Sequence, residues 1–456
     1  MINGQVSHWW DTLGVPVPRP ALPGSAQVDV AIVGAGFTGL WTAYYLKRDH
    51  PDVRIAIVEQ RHAGYGASGR NGGWLTNSIT GGREQYLARH GREAVERFQR
   101  TMNETVDEVI AVAEREEIDA DLAKGGEFNV AYTAAQEERL RATAAAEQGW
   151  RHTDVELLSA AEAQERIAVQ GTRAALWHPH AARIHPAKLV RGLARTVEDL
   201  GVSLYEGTRA VAIEPGRVIT DHGTVSADTV VRATEGFTAQ LKGLKRLWLP
   251  MNSSLIATEP LSRQVWDEIG WEGREVLGDF AHVYMYAQRT ADDRIAIGGR
   301  GVPYKYGSRT DLDGLTPERT VRTLEEILHR FFPATRGASI EHAWSGVLGV
   351  PRDWSATVGL DRHTGLAWAG GYVGTGVTST NLAGRTLRDL ITGTESELTA
   401  LPWVGHRVRR WEPEPLRWLA THGLYAAYGR ADRAELAGRP TTSPIAHVAD
   451  RITGRA

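Results

Sequence analysis

A chain of 456 residues exceeds what one hydrophobic core usually serves, so two domains are expected. Composition is that of an ordinary globular protein, 42% apolar and 23% charged with a formal net charge of −3, and no long basic run marks a nucleic-acid or anionic-membrane surface. With no cysteine anywhere, disulfides, thiolate metal sites and cysteine nucleophiles are excluded together, and a reducing cytoplasm is the fitting location.

The opening "MINGQVSHWWDTLGVPVPRPALPG" lacks the charged segment and apolar core of a secretory signal and reads as an irregular arm packed on the surface, over 1–25. Next comes "VDVAIVGAGFTGLWTAYYL", 28–46, almost unbroken apolar sequence. Its length approaches that of a spanning helix, but Asp29 and three glycines argue against one. The better parse is a strand over 28–33, a turn at Gly34, Gly36 and Gly39, a helix to about Asp49, and a second strand ending at Glu59. From Gly39 to Glu59 is 59 − 39 = 20 positions, the spacing between a dinucleotide fingerprint and its ribose-binding acid. Gly34 permits the tight turn, Gly36 lets a pyrophosphate approach the backbone, and Gly39 lets helix lie close to strand. The helix N-terminus offers free N–H groups to phosphates, and Glu59 accepts ribose hydroxyls.

After Glu59 a nicotinamide-binding domain would continue with βα units; instead "QRHAGYGASGRNGGW" is a long glycine loop suited to wrapping a large planar ligand. Residues 85–118 have helical spacing and read as an exposed helical excursion, 126–133 as a strand, and 134–149 as a helix. His178, His180 and His185 cluster in "HPHAARIHP", but the prolines indicate turns and no helical pair with a nearby acid accompanies them, so a structural role is expected and no metal. "HVYMYAQ", 282–288, alternates as a strand, with His282, Tyr284, Tyr286 and Gln288 on one face. A helix is expected over 317–331, stopped by Pro333. "GGYVGTGVTSTNLAGRTLRDLITG" is a turn running into an amphipathic helix that ends at Gly393. The tail after Thr399, with Trp403, Trp411 and Trp418, reads as a packed C-terminal extension.

"GASGRNGG" (66–73) after a ribose-binding Glu resembles the D-amino-acid oxidase/glycine oxidase/sarcosine oxidase superfamily of FAD enzymes, nearest the gamma-glutamylputrescine oxidase-like branch. Blocks at 182–213, 230–236 ("VVRATEG"), 249–261, 294–301 and 369–377 ("AGGYVGTGV") agree with it in order, and the resemblance spans roughly 26–395. It implies an α/β fold: a discontinuous Rossmann-like FAD-binding domain (26–84, 152–240 and 340–396) and a substrate domain with a mixed or antiparallel sheet (85–151 and 241–339), followed by an extension over 397–456. The implied FAD contacts are Gly34, Gly36, Phe37, Thr38, Gly39, Glu59, Gln60, Arg61, Gly66, Ala67, Ser68, Gly69, Arg70, Asn71, Gly72, Gly73, Val211, Ala233, Thr234, Gly346, Gly371, Tyr372, Gly374, Thr375, Gly376, Val377 and Thr378. Relatives that attach FAD covalently use a cysteine, absent here, or a histidine at the place held by Arg70, so FAD is expected to be non-covalent.

The implied reaction is oxidation of a C–N bond in a primary or secondary amine: the flavin takes two electrons, the imine hydrolyses, and dioxygen reoxidises the flavin to give hydrogen peroxide. Trp74, His282, Tyr284, Tyr286 and Arg300 are the expected substrate contacts, with Tyr284 and Lys305 as candidate catalytic groups. In sarcosine oxidase-like relatives a lysine after a "GGxG" block speeds the reaction with oxygen; "GGRGVPYKYG" carries Lys305 a couple of residues out of register and Arg300 inside the block. A dehydrogenase of amino or 2-hydroxy acids, clamping a carboxylate with Arg300 and passing electrons to a carrier, is the alternative.

Overall fold

The computed structural model describes residues 1–299, 304–310 and 313–453. Among the described residues two large sheets organise the chain, with a two-stranded ribbon of Trp74–Thr76 and Ala181–Arg183 beside them. The first contains the parallel core expected of a nucleotide-binding unit. Strand Ala26–Val33 pairs in parallel with Ile55–Val58 on one side and Thr224–Arg232 on the other, and Ser203–Tyr205 extends it beyond Ile55–Val58. Val30, Ala31, Ile32 and Val33 are all buried, as a parallel strand covered on both faces requires. Helices Phe37–Asp49, Pro186–Asp199 and Gly376–Thr392 supply much of the covering. The first and last of these approach closely at Gly384, where a Cβ would come within 2.7 Å of Trp41 Cβ.

The second sheet is mixed and nine-stranded, running from Ile2–Asn3 through Ile340–Val350, Leu249–Thr258, Ile295–Gly299, Met285–Arg289, Val276–Asp279, Glu127–Ala131 and Ala174–His178 to Glu156–Ser159. Helix Glu318–Phe331 lays Val321, Leu324, Leu328 and Phe331 on one face, against a core that includes Ile256, Met285, Ala287 and Ile297. The fold is therefore α/β, a Rossmann-like unit joined to a mixed-sheet unit.

Three expectations change. The arm is not irregular: Ile2–Asn3 adds a parallel edge strand to the second sheet, and Trp9 and Trp10 are buried. Its Ser7 Oγ donates to Gly69 O at 2.7 Å and Trp9 Nε1 to Asn71 O at 2.8 Å, so the arm braces the glycine loop. Helix Glu84–Arg115 is exposed on one face only; Val95, Phe98, Met102, Val106 and Val109 are buried in the core that also holds Leu382 and Leu387 of helix Gly376–Thr392. Strands Glu156–Ser159, Ala174–His178 and Ile340–Val350, expected in the nucleotide-binding part, pair within the nine-stranded sheet, because backbone pairing between distant segments decides membership. Among the described residues no helix is long and apolar enough to cross a membrane.

Candidate active site

Two adjoining cavities lie between the sheets. The first is lined by the fingerprint turn, Glu59, the glycine loop, Ala233 and the turn leading into helix Gly376–Thr392. The second, of about 600 Å³, is walled by the other side of the glycine loop and by the mixed sheet. They share Ala67, Asn71, Leu348, Tyr372, Gly374 and Val377, so a ligand in one reaches the other.

The fingerprint is built as its residue types demand. Gly34 adopts φ 108°, and a Cβ there would meet Ala233 O at 2.6 Å. A Cβ on Gly39 would lie 2.1 Å from Gly34 O, so this glycine sets the strand-to-helix spacing. Gly36 precedes the helix with no side-chain cap of its own, and Ser68 Oγ accepts the Phe37 N–H at 2.8 Å. Thr375 likewise leaves helix Gly376–Thr392 without a side-chain cap. Two positive helix ends thus face the cavities, the electrostatics a pyrophosphate and an electron-accepting ring need. Glu59 accepts the Ala35 and Arg61 N–H groups at 3.0 Å each, which orients its carboxylate, and burial raises its pKa. Each oxygen keeps a lone pair for a ribose hydroxyl. The cradle fits FAD.

Of the expected cofactor contacts, Gly34, Gly36, Phe37, Thr38, Glu59, Gln60, Arg61, Gly66, Ala67, Ser68, Asn71, Ala233, Thr234, Tyr372, Gly374, Gly376 and Val377 line the first cavity. Arg70, Gly72, Gly346 and Thr375 line the second. Gly39, Gly69, Gly73, Gly371 and Thr378 line neither. The glycines act in packing, since a Cβ on Gly69 would strike Trp10 Nε1 at 2.3 Å and one on Gly371 would strike Pro351 at 2.5 Å, while Thr378 is buried in the first turn of helix Gly376–Thr392. Val211 is a correction. The register slips between Ala210 and Ala212, which turns Val211 outward, half exposed, while Ala210 faces the cavity. Arg70 occupies the place of the relatives' linking histidine and is buried. Its Nε donates to Tyr65 O at 2.7 Å, its Nη1 to Ser345 O at 3.2 Å, and its guanidinium stacks 4.4 Å from the Tyr65 ring centre.

Trp74, His282, Tyr284 and Tyr286 all line the second cavity. Strand Met285–Arg289 begins later than expected, leaving His282 and Tyr284 in the turn before it. Tyr286 bonds Ser253 Oγ at 2.7 Å and lies edge-on to Trp74, while Gln288 Nε2 donates to Gly72 O at 2.7 Å. Lys305 is not among the described residues lining either cavity; it precedes a short turn beside buried Tyr304, which contacts Glu414 of the C-terminal extension. Arg300 lies outside the described residues. The histidine cluster serves structure: His178 faces Glu127, His180 faces Asp154, and His185 accepts the Lys188 N–H at the start of a helix. Among the described residues the one grouping of His and acids close enough to share an ion is His282, Asp432 and Glu435, and there Arg139 already supplies the cation to both Glu435 oxygens.

Three acids escaped the sequence reading. Glu235 is half-buried in the lining of the first cavity, where it accepts N–H bonds from Gly371, Gly349 and Tyr372 at 2.8–3.3 Å. Asp279 closes a strand of the mixed sheet and accepts from Met285 N and Tyr132 Oη. Asp450 enters the second cavity from the C-terminal extension. A glutamate after "RAT" and an aspartate after "LG" carry no local signal; only the fold brings them to the cavity linings.

Two expectations follow. Glu59→Ala is expected to weaken FAD binding by about 1.5–3 kcal/mol, roughly one to two decades in Kd, measured by flavin fluorescence titration. Burial pushes the Asp279 carboxyl up to about 7. A carboxyl raised on folding contributes stability that is complete below its unfolded pKa and is lost as pH rises through the folded value. Between about pH 4 and 7, Asp279→Asn should therefore gain stability relative to the parent by a few kcal/mol, read from denaturant unfolding at each pH.

Comparison with known proteins agrees with this geometry. The family model described as DAO, FAD dependent oxidoreductase, matches residues 29–390. The chain is 30% identical to "Probable oxidoreductase OrdL" of Rhizobium meliloti (strain 1021), over 84% of this chain and 87% of that protein. It is 28% identical to the gamma-glutamylputrescine oxidoreductase of Escherichia coli (strain K12), over 85% and 89%. The crystal structure of glycine oxidase from Geobacillus kaustophilus superposes with a TM-score of 0.67 at 23% identity, covering 84% of this chain and 99% of that one. The chain is an enzyme and belongs to the DAO family of FAD-dependent oxidoreductases.

Proposed function

We propose that the enzyme oxidises a C–N bond of a primary or secondary amine to the imine, which hydrolyses to an aldehyde or ketone, and that dioxygen takes the electrons to give hydrogen peroxide. One observation carries this reading: a roomy cavity rimmed by Trp74, Tyr284 and Tyr286 meets the dinucleotide cavity at Tyr372, Gly374 and Val377. Aromatic faces and hydroxyls suit an amine, by cation–π attraction while it is charged and by hydrogen bonding once neutral. Relatives named as gamma-glutamylputrescine oxidoreductase, glycine oxidase and sarcosine oxidase subunit beta support the substrate class.

FAD, when bound, accepts two electrons from the carbon beside nitrogen. The protein's part is placement. Tyr286, fixed by Ser253 and by the edge of Trp74, forms a wall beside Gly72, where a Cβ would meet the Tyr286 ring at 2.7 Å. Tyr372, held by Thr38 at 3.1 Å, and the clasped hydroxyls of Thr80 and Thr375 fix the opposite side. The helix end at Gly376 favours negative charge as electrons arrive. FAD is held without a covalent bond in this reading, since there is no cysteine and Arg70 spends its guanidinium on Tyr65 and Ser345.

The test is stoichiometry in air. One peroxide formed per amine consumed supports the oxidase; turnover that requires an added electron carrier and yields no peroxide favours the dehydrogenase alternative.

A further inference from the structure

Of the described residues lining the two cavities, Asp450 alone lies outside the family match over 29–390. It comes from the last helix, Pro444–Thr453, which packs on Leu416–Leu436 through Tyr428, Ala431, Ala446 and Ala449. That helical pair is anchored to the substrate side of the molecule, not merely laid on its surface. Asp432 accepts the backbone N–H groups of His282 and Val283 at 2.8 and 3.0 Å. Glu435 takes His282 Nε2 at 3.0 Å and both Nη atoms of Arg139. Tyr428 stacks on the His282 ring and donates its hydroxyl to Asp450 at 2.8 Å.

The charges decide what this wall suits. Arg139 lines the same cavity, yet it is committed: Nη1 goes to Glu435 and Thr442 Oγ1, Nη2 to Glu435 and Phe280 O. A substrate carboxylate would have to displace Glu435 to use it. Three acids share the lining, Glu127, Asp279 and Asp450, with burial keeping Asp279 part-protonated near neutral pH. Arg70, also in the lining, turns its guanidinium to Tyr65 and Ser345. Glu127 is held ionised by Thr76, Asn129 and His178. Tyr286, Trp74 and Gly72 mark the end nearest the glycine loop, and the acids enter from the strand ends of the mixed sheet and from the C-terminal helix.

We propose, building on the amine-oxidase reading, that the C-terminal helical pair forms a specificity wall and that Asp450 selects amines carrying a second cationic centre, held away from the nitrogen being oxidised. Asp432, Glu435 and Tyr428 are positioning residues that set the turn before strand Met285–Arg289 and aim Asp450.

The test is calorimetric titration of the FAD-loaded enzyme with a straight four-carbon diamine and with butylamine, which reads binding apart from turnover. The diamine should bind roughly tenfold or more tightly than butylamine. Asp450→Asn should remove most of that preference, the diamine losing roughly tenfold more affinity than butylamine, while FAD content is retained. Tyr428→Phe, which deletes the hydroxyl but keeps both the ring and the charge, should retain a preference. Equal affinity for the two amines in the parent enzyme, or a diamine preference that survives Asp450→Asn, would overturn the proposal. A diamine that binds preferentially but never reduces the flavin would uphold the wall and count against the amine-oxidase reading instead.

Discussion

Replacing Gly39 with alanine is expected to produce a protein that binds FAD at least a hundredfold more weakly and is less stable by about 3 kcal/mol or more. The added Cβ would sit 2.1 Å from Gly34 O and 3.1 Å from Ile32 Cγ2, and the first of these is backbone that cannot swing aside. Relief requires moving helix Phe37–Asp49 off its strand. That displaces the helix N-terminus from the phosphates and loosens the contact with helix Gly376–Thr392 at Trp41 and Gly384. Denaturant unfolding of the apoprotein and FAD titration measure the two effects separately. Gly66→Ala provides contrast, since its Cβ would meet only the Phe237 ring at 3.4 Å, and it should fold normally.

Glu235→Ala is expected to cost about 3–5 kcal/mol of stability and most of the bound FAD. The side chain ties together two segments that line the cavities, taking Gly349 N–H from the mixed sheet and Gly371 and Tyr372 N–H from the turn before the last family helix. Its removal leaves those donors buried without acceptors. It also removes a negative charge that partly offsets the burial of Arg232, which donates to Thr238 Oγ1 at 3.1 Å, lies 4.4 Å from the Trp248 ring centre and has its pKa lowered to about 10 by burial. Burial raises Glu235 itself to about 7. Its stabilising share is therefore complete below about pH 4.5 and lost as pH rises through 7, so the cost of Glu235→Ala should be largest under mildly acidic conditions. Unfolding curves at pH 5 and pH 8 are the check.

The nucleotide site was legible because its chemistry is local. Gly34, Gly36, Gly39 and Glu59 stand in one short stretch, and their spacing alone specifies strand, turn, helix and acid. The glycine loop was legible for the same reason. Where pairing is long-range, the sequence was silent. Nothing near residue 340 announces that Ile340–Val350 will lie between Leu249–Thr258 and the N-terminal arm. Nothing in "EGTRAVAI" foretells the slipped register that presents Ala210 and turns Val211 away. The substrate side shows the same limit. Alternation in "HVYMYAQ" brought Tyr286 to the cavity, but the acids around it come from strand ends and from a helix more than 160 residues further on, 450 − 286 = 164. Lys305 was suggested by a motif whose spacing was already off, and the chain places it near the C-terminal extension instead.

The central claim is that an amine in the second cavity delivers electrons to FAD in the first, and anaerobic mixing tests it most directly. The FAD-loaded enzyme is exposed to a panel of primary and secondary amines, amino acids and 2-hydroxy acids while the flavin's visible absorbance is followed. The account predicts that at least one amine bleaches the flavin completely, that one equivalent of aldehyde or ketone per FAD appears, and that admitting oxygen restores the colour. A flavin untouched by every amine but bleached by a 2-hydroxy acid would contradict it.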